Sequence, residues 1–230
     1  MLERERVVST QDEARALMAE TDRQALVVAA EQSGGRGRAG AEWQNADRAI
    51  AISVDFRPDW PTEAWGRIPL IAGLAMREAL LQTFDVTVSL KWPNDLMSDE
   101  GKVGGILSEA DGAALAVGCG VNLYWKEPPV EGAAGLLGSD PGIEGNLPLA
   151  RLFADLLFAG VDEDASLWNR ESYEEVCSTL GTQIVWEPAG HGLAVGIADD
   201  GGLIVDTTDG TTILRSGAVR QVRSTTMPGS

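Results

Sequence analysis

The sequence predicts an α+β protein in which strands and helices are interspersed along most of the chain and a small all-β module closes it. Three observations carry this reading. Apolar residues recur at helical spacing over residues 65–84, 147–160 and 165–180. Short apolar runs fall at 25–30, 49–56, 86–91, 103–109 and 114–123. After Gly181 the texture changes to brief strands at 182–186, 193–197, 203–207 and 211–214, split by turns such as Asp199-Asp200-Gly201-Gly202 and Asp209-Gly210.

Taken in order, Ser9 and Thr10 introduce a helical pattern that runs through Ala19, with Thr10 and Glu13 at capping-box spacing. The strand at 25–30 is separated from that at 49–56 by the Gly/Arg segment GGRGRAGAEWQN. The helix over 65–84 keeps a long apolar face although Pro69 stands near its start. Three strands follow. Residues 127–145, rich in Pro and Gly and without periodicity, then read as a loop of unusual length, which in a compact domain more often serves function than connection alone. Two helices precede the final module, which has the size and turn pattern of a small β-barrel. A chain of 230 residues holds one substantial domain and an appendage, divided here as 1–180 and 181–223, with 224–230 a disordered tail.

A hydrophobic content of 44% with 23% charged residues is that of a folded globular protein. The net charge of −17 argues against a general nucleic-acid or anionic-membrane surface, so any phosphate site must be local. Cations are therefore informative: the lysines are Lys91, Lys102 and Lys126, and two of them fall in one short segment. No leader-like apolar stretch opens the chain and no run of about 18 apolar residues exists, so a cytoplasmic location is expected. Cys119 and Cys177 have neither disulfide nor metal-ligand spacing. The single histidine, His191, lies between glycines and reads as a turn residue, which leaves little room for a Ser-His or Cys-His pair.

Three segments carry chemistry. Gly35-Arg36-Gly37-Arg38-Ala39-Gly40 follows a strand, fits G-x-G-x-x-G and has Asp55 twenty residues beyond its first glycine, the outline of a dinucleotide site. Only residues 41–48 separate it from the next strand, too few for a crossover helix, which argues against that reading. Two readings remain: a loop whose guanidinium groups close over an anion, and an exposed Gly/Arg turn. In the second segment Lys91-Trp92-Pro93-Asn94-Asp95 ends one strand and Lys102 begins the next, placing Lys91, Asn94, Asp95 and Lys102 around one hairpin mouth. Ordinary surface Lys–Asp pairs would give the same pattern. Against this, two lysines of a lysine-poor chain gather beside Gly104-Gly105, where close approach of a ligand or backbone accounts for the missing side chains. The third, Val117-Gly118-Cys119-Gly120-Val121-Asn122, is a strand whose alternate glycines leave room for a flat ligand and whose terminal amide can pair with an adenine edge; a bulged strand with a capping amide is the alternative. Nothing cationic stands near enough in sequence to activate Cys119, which reads as a small apolar filler.

Together, in this order and spacing, the three segments resemble the biotin protein ligase (biotin–acetyl-CoA-carboxylase ligase) family, whose hallmarks are a GRGR loop, a KWPND hairpin leading to a Lys and a GIL strand, and a G-x-G-hydrophobic-Asn strand. The likeness spans residues 8–223. It implies a mixed central sheet with flanking helices, similar to class II aminoacyl-tRNA synthetases, followed by an SH3-like β-barrel. It also implies that ATP and Mg²⁺ activate biotin as an adenylate, which is passed to a lysine of the biotin carboxyl carrier protein of an acetyl-CoA or related carboxylase. Ser9, Thr10, Gln11 and Gln32 would hold the biotin head, with Gly105 and Gly118 lining its slot and Arg36, Gly37 and Arg38 closing over it. Arg36, Arg38, Trp43, Lys91, Asn94, Lys102 and Asn122 would bind ATP and the adenylate. Lys102, Arg36 and Asp95 would act in catalysis, Asp95 on the acceptor amine. No fixed protein metal site is implied, since Mg²⁺ accompanies ATP.

Gln11 stands where the family usually has Asn, and Ala41 where it often has a basic residue. Bifunctional members carry a winged-helix domain before the Ser-Thr pair, and eight residues precede it here, so the expectation is a monofunctional enzyme that binds neither DNA nor membrane, as monomer or homodimer. Lipoate ligases share the chemistry but typically differ in these motifs. A non-catalytic biotin-binding protein would not need Lys102 and Asp95.

Overall fold

The computed structural model describes residues 1–162, 164–215, 217 and 219–221; the tail expected to be disordered lies outside them. The elements run β1 (Leu2–Val7), α1 (Thr10–Thr21), β2 (Ala25–Gln32), β3 (Arg48–Phe56), α2 (Ile68–Phe84), β4 (Ser89–Lys91), β5 (Asp95–Met97), β6 (Lys102–Asp111), β7 (Ala114–Tyr124), α3 (Asn146–Val161), α4 (Arg170–Val176), β8 (Gln183–Trp186), β9 (Gly190–Ile197), β10 (Leu203–Thr207), β11 (Gly210–Leu214) and β12 (Val219–Gln221). A seven-stranded sheet has the order β1-β2-β3-β7-β6-β5-β4 and a second sheet the order β11-β10-β9-β8-β12. Only β1 and β2 run parallel, so the large sheet is mixed.

Side chains alternate between the faces of a strand, and in β3 the two sets differ in size. Ile50, Ile52, Val54 and Phe56 join the main apolar core, together with Ile68, Met76 and Leu80 of α2 and Leu149, Phe153 and Leu157 of α3. Ala49, Ala51, Ser53 and Asp55 face the other way. Cross-strand register puts small residues beside them, Ser53 opposite Gly118 and Ala51 opposite Gly120, with Gly120 in turn opposite Gly105. This face receives only α1, through Ala14 and Met18, against Ala25 and Val27. One short helix leaves part of it uncovered.

Several expectations shift. Ser9, not Thr10, is the N-cap of α1, its hydroxyl accepting from the Asp12 amide at 3.4 Å, because Thr10 is engaged elsewhere. The LERERV strand β1 was hidden because its middle residues are exposed on a sheet edge and supply no apolar run. Likewise β5 and β12 are three residues long, too short for a periodic signal. The helix expected over 165–180 is a 3₁₀ turn at Ala165–Leu167 and then α4, interrupted where the Asn169 side chain accepts from the Ser172 amide at 3.0 Å. His191 lies in β9 opposite Val185, and the turn precedes it.

The C-terminal strands form a five-stranded antiparallel sheet consistent with an SH3-like module; among the described residues no pairing of β11 with β12 closes it into a barrel. Ile184, Ala194, Leu203 and Val205 belong to the same apolar cluster as α2 and α3. Trp92 fastens the sheets together: its indole donates to the Gly201 carbonyl at 3.0 Å and its amide to the Thr179 hydroxyl at 2.9 Å. Among the described residues no helix is long and apolar enough to cross a membrane.

Asp55 is 3% exposed and one carboxyl oxygen has no hydrogen bond. Burial pushes its pKa up, with Arg15 opposing. An acid whose folded pKa is raised opposes folding once the unfolded chain can ionise, so the cost is absent below the unfolded value of about pH 4, grows as pH rises from there to the folded value, and is constant above it. Asp55→Asn should therefore raise Tm at pH 7 by a few degrees, with the gain vanishing near pH 4. Calorimetry at the two pH values checks this, and a lower Tm at pH 7 would refute it.

Candidate active site

The uncovered part of the small-residue face is a cleft of about 540 Å³, walled by the start of α1, the segment 36–44, residues 91–95, β6, β7 and parts of the long loop. At its α1 end the Thr10 amide and hydroxyl both donate to the Gln32 side-chain oxygen, at 2.8 and 3.0 Å, and the Thr10 and Ser53 hydroxyls meet at 2.7 Å. Gln11 donates to the Leu107 and Ala116 carbonyls at 3.2 and 3.4 Å. Ser9 is spent on the helix cap and does not line the cleft.

The glycines differ in purpose. A Cβ on Gly118 would sit 3.0 Å from the Gln11 side chain, so this glycine makes room for the protein's own amide. On Gly120 it would meet the Trp43 indole at 2.8 Å. On Gly104 it would lie 2.5 Å from the Gly120 carbonyl, a backbone contact. Gly105 alone of these is unobstructed, with nothing nearer than 3.6 Å and the Lys102 ammonium at that distance.

Asp95 and Lys102 form an ion pair at 2.5 Å in the middle of the cleft, where Asp95 lies opposite Gly105 and Lys91 opposite Asp95. Asn94 is fixed by donating to the Ile106 carbonyl at 2.9 Å, and its oxygen accepts from Arg38 at 3.2 Å. Burial draws the Arg38 pKa down while the Asp95 carboxylate acts against it; a guanidinium stays charged at neutral pH regardless. Lys102 is gripped on both sides of its backbone by the long loop, its amide donating to the Gly132 carbonyl at 2.7 Å and its carbonyl accepting from the Ala134 amide at 2.9 Å.

Residues 35–43 form a hairpin, not the start of a dinucleotide-binding helix: Gly37 donates to the Ala41 carbonyl at 2.7 Å and Trp43 to the Gly35 carbonyl at 3.0 Å. Arg38 sits at its tip and reaches Asn94. Arg36 instead makes a two-pronged contact with Asp12, at 2.8 and 2.9 Å, and a third bond to Glu109 at 3.1 Å. Two atoms in the cleft lack partners: the Trp43 indole nitrogen, a donor, and the Asn122 side-chain oxygen, an acceptor on a residue 5% exposed. Burial pushes the Cys119 thiol far up, so it offers no thiolate.

Gly118 and Asn122 share one face of β7 and are four residues apart, so they are separated by roughly 13 Å. The cleft is thus graded along β7: hydroxyls and amides at one end, Arg38, Lys91, Lys102 and Asp95 in the middle, two orphan polar atoms toward the other end. The sequence pointed to these motif residues but not to Ser53, Trp125, Val130, Ala133 or Val219, which also line or shape the site. The Pro/Gly character of the long loop was the available signal for Val130 and Ala133; Ser53, Trp125 and Val219 gave none.

The cleft is thus cationic at its centre and polar toward both ends. The model of the biotin/lipoate A/B protein ligase family matches residues 3–122. The biotin–(acetyl-CoA-carboxylase) ligase of Mycobacterium tuberculosis is 31% identical over 214 residues, covering 86% of this chain and 79% of that one. That of Paracoccus denitrificans is 32% identical over 233 residues, covering 93% and 97%. The structure of the Aquifex aeolicus biotin protein ligase in complex with biotin and ATP aligns with a TM-score of 0.79 at 28% identity, over 96% of this chain and 99% of that one. The chain belongs to the biotin/lipoate A/B protein ligase family.

The glycine geometry separates packing from binding. Gly104→Ala should lower Tm by about 4–10 °C, the effect of forcing an atom into a packed site. Gly105→Ala should stay within about 2 °C of the parent. Equal losses in a thermal-shift measurement would show that both glycines serve packing alone.

Proposed function

We propose that this chain uses ATP to activate biotin as biotinyl-5′-AMP and transfers the biotinyl group to a lysine of a biotin carboxyl carrier protein. The observation that carries the proposal is the convergence of Arg38, Lys91, Lys102 and Asp95 on one unobstructed strip of sheet in a chain of net charge −17. The related ligases, including a Leishmania major enzyme solved with biotinyl-5-AMP, support the choice of ligand.

The hydroxyl of Thr10, backed by the buried Ser53 hydroxyl, and the amide of Gln32 present donors and acceptors suited to a cyclic urea. Biotin bound by that end extends its carboxylate toward Lys102. Attack of this carboxylate on the α-phosphate of ATP forms a mixed anhydride and expels pyrophosphate. Two anions approach in this step, and fixed cations between them lower its barrier. Lys102 is placed to give up Asp95 for the incoming carboxylate, and Arg38 to give up the neutral Asn94 oxygen for phosphate. Mg²⁺ would arrive on the ATP phosphates. Adenine has the orphan Asn122 oxygen as acceptor and the Trp43 indole beside it.

In the second step the carrier lysine attacks the acyl carbonyl and AMP leaves. Its amine has an ordinary pKa of about 10.4 and must lose a proton. Asp95, freed when Lys102 turns to the ligand, orients that amine and takes the proton.

Transfer of biotin to an isolated carrier domain in the presence of ATP and Mg²⁺ tests the proposal. Lys102→Ala should lower the rate by about 10²–10³-fold while the thermal transition is retained. Undiminished transfer by the variant would overturn the role of Lys102. Preferential transfer of lipoate by the parent would overturn biotin as substrate.

A further inference from the structure

Four side chains from three elements close into a ring of alternating charge at the base of the 35–43 hairpin. Arg15 donates to Asp12 at 3.2 Å and to Glu109 at 2.7 Å; Arg36 donates to the same two carboxylates, at 2.8 and 2.9 Å to Asp12 and at 3.1 Å to Glu109. Asp12 and Arg15 belong to α1 and Glu109 to β6, two of the elements that wall the cleft. Isolated exposed ion pairs contribute little, but a two-pronged Arg–carboxylate contact inside a network is the case where geometry holds.

The ring bears on which arginine meets the ligand. Both terminal nitrogens of Arg36 are taken by carboxylates. A phosphate that claimed them would have to displace Asp12 and would leave two carboxylates facing it, so like charges would oppose the exchange. Arg38 gives up only one 3.2 Å bond to a neutral amide oxygen. We propose that Arg36 is a positioning residue, not a ligand contact, and that Asp12, Arg15 and Glu109 anchor the hairpin through it so that Arg38 at the tip stays over the adenylate. This rests on the ligase reading, and it assigns to Asp12 and Glu109 a part in retaining the intermediate until the carrier arrives.

The test compares Asp12→Asn, Glu109→Gln, Arg36→Gln and the double variant Asp12→Asn/Arg36→Gln. Two quantities are measured: dissociation of preformed biotinyl-5′-AMP, and amide hydrogen exchange over residues 36–42 without ligand. Each single variant should release the adenylate about tenfold faster, equivalent to about 1.4 kcal/mol. The double should be no worse than the worse single, as expected for partners in one interaction. Exchange over 36–42 should quicken in all of them with Tm within about 2 °C, and Asp12→Glu should restore slow release. Faster release by Arg36→Gln, with release by Asp12→Asn unchanged or slowed, would overturn the anchor and return Arg36 to the ligand. Unchanged exchange in Asp12→Asn would overturn it as well, and needs no adenylate. Failure of the parent to form an adenylate would instead remove the ligase reading, leaving the exchange result to decide the anchor.

Discussion

The unequal size of the two faces of one sheet governs this structure. On one side aliphatic and aromatic side chains of β3 and β7 interlock with α2 and α3. On the other, Ala51, Ser53, Gly105, Gly118 and Gly120 stand in register, and α1 reaches only part of them. Part of this second face is covered by α1, the Gln11 amide and the Trp43 indole. What they leave uncovered is the cleft. Binding and folding thus draw on the same alternation of residues, one parity for the core and the other for the ligand.

Charge is distributed with similar economy. An acidic chain repels anions at long range, so a site for ATP and a carboxylate has to be made locally, where low dielectric and fixed geometry strengthen each cation. The structure pairs its cations with carboxylates, Lys102 with Asp95 and Arg36 with Asp12 and Glu109. The Asp95 pair lies in the cleft, whereas the Arg36 ring is closed on itself. The two arginines of the GRGR motif differ likewise, Arg38 holding a neutral amide oxygen by one bond and Arg36 two carboxylates by three.

Much of this was legible in the sequence. The two-faced burial of β3 and β7 and the length of α2 are written in continuous apolar patterns, and the three motifs named most residues that line the cleft. Elements whose stability comes from neighbours were not legible: β1 and β12 are edge strands with few apolar residues, β5 is held by the strands beside it, and α4 ends where Asn169 and Cys177 follow tertiary demands. At the site, Ser53 lies in a run of small residues like any other, and the ring partners of Arg36 are 24 and 73 residues away from it. Only cross-strand register brings them together. Gln11 shows the same limit, since its role beneath Gly118 depends on a strand about a hundred positions later.

The long loop is fixed unevenly. Residues 132–137 are sewn along the sheet, Gly132 and Ala134 to Lys102, Leu136 to the Asn122 carbonyl and Leu137 to the Leu123 carbonyl. The residues just before and after this seam make few such bonds. Insertions should therefore be absorbed near 127–129 and 138–139, at the exposed margins of the seam. A single residue added within 132–137 would shift the register against Lys102 and Asn122 together, moving the charged centre and the Asn122 end of the cleft in one step.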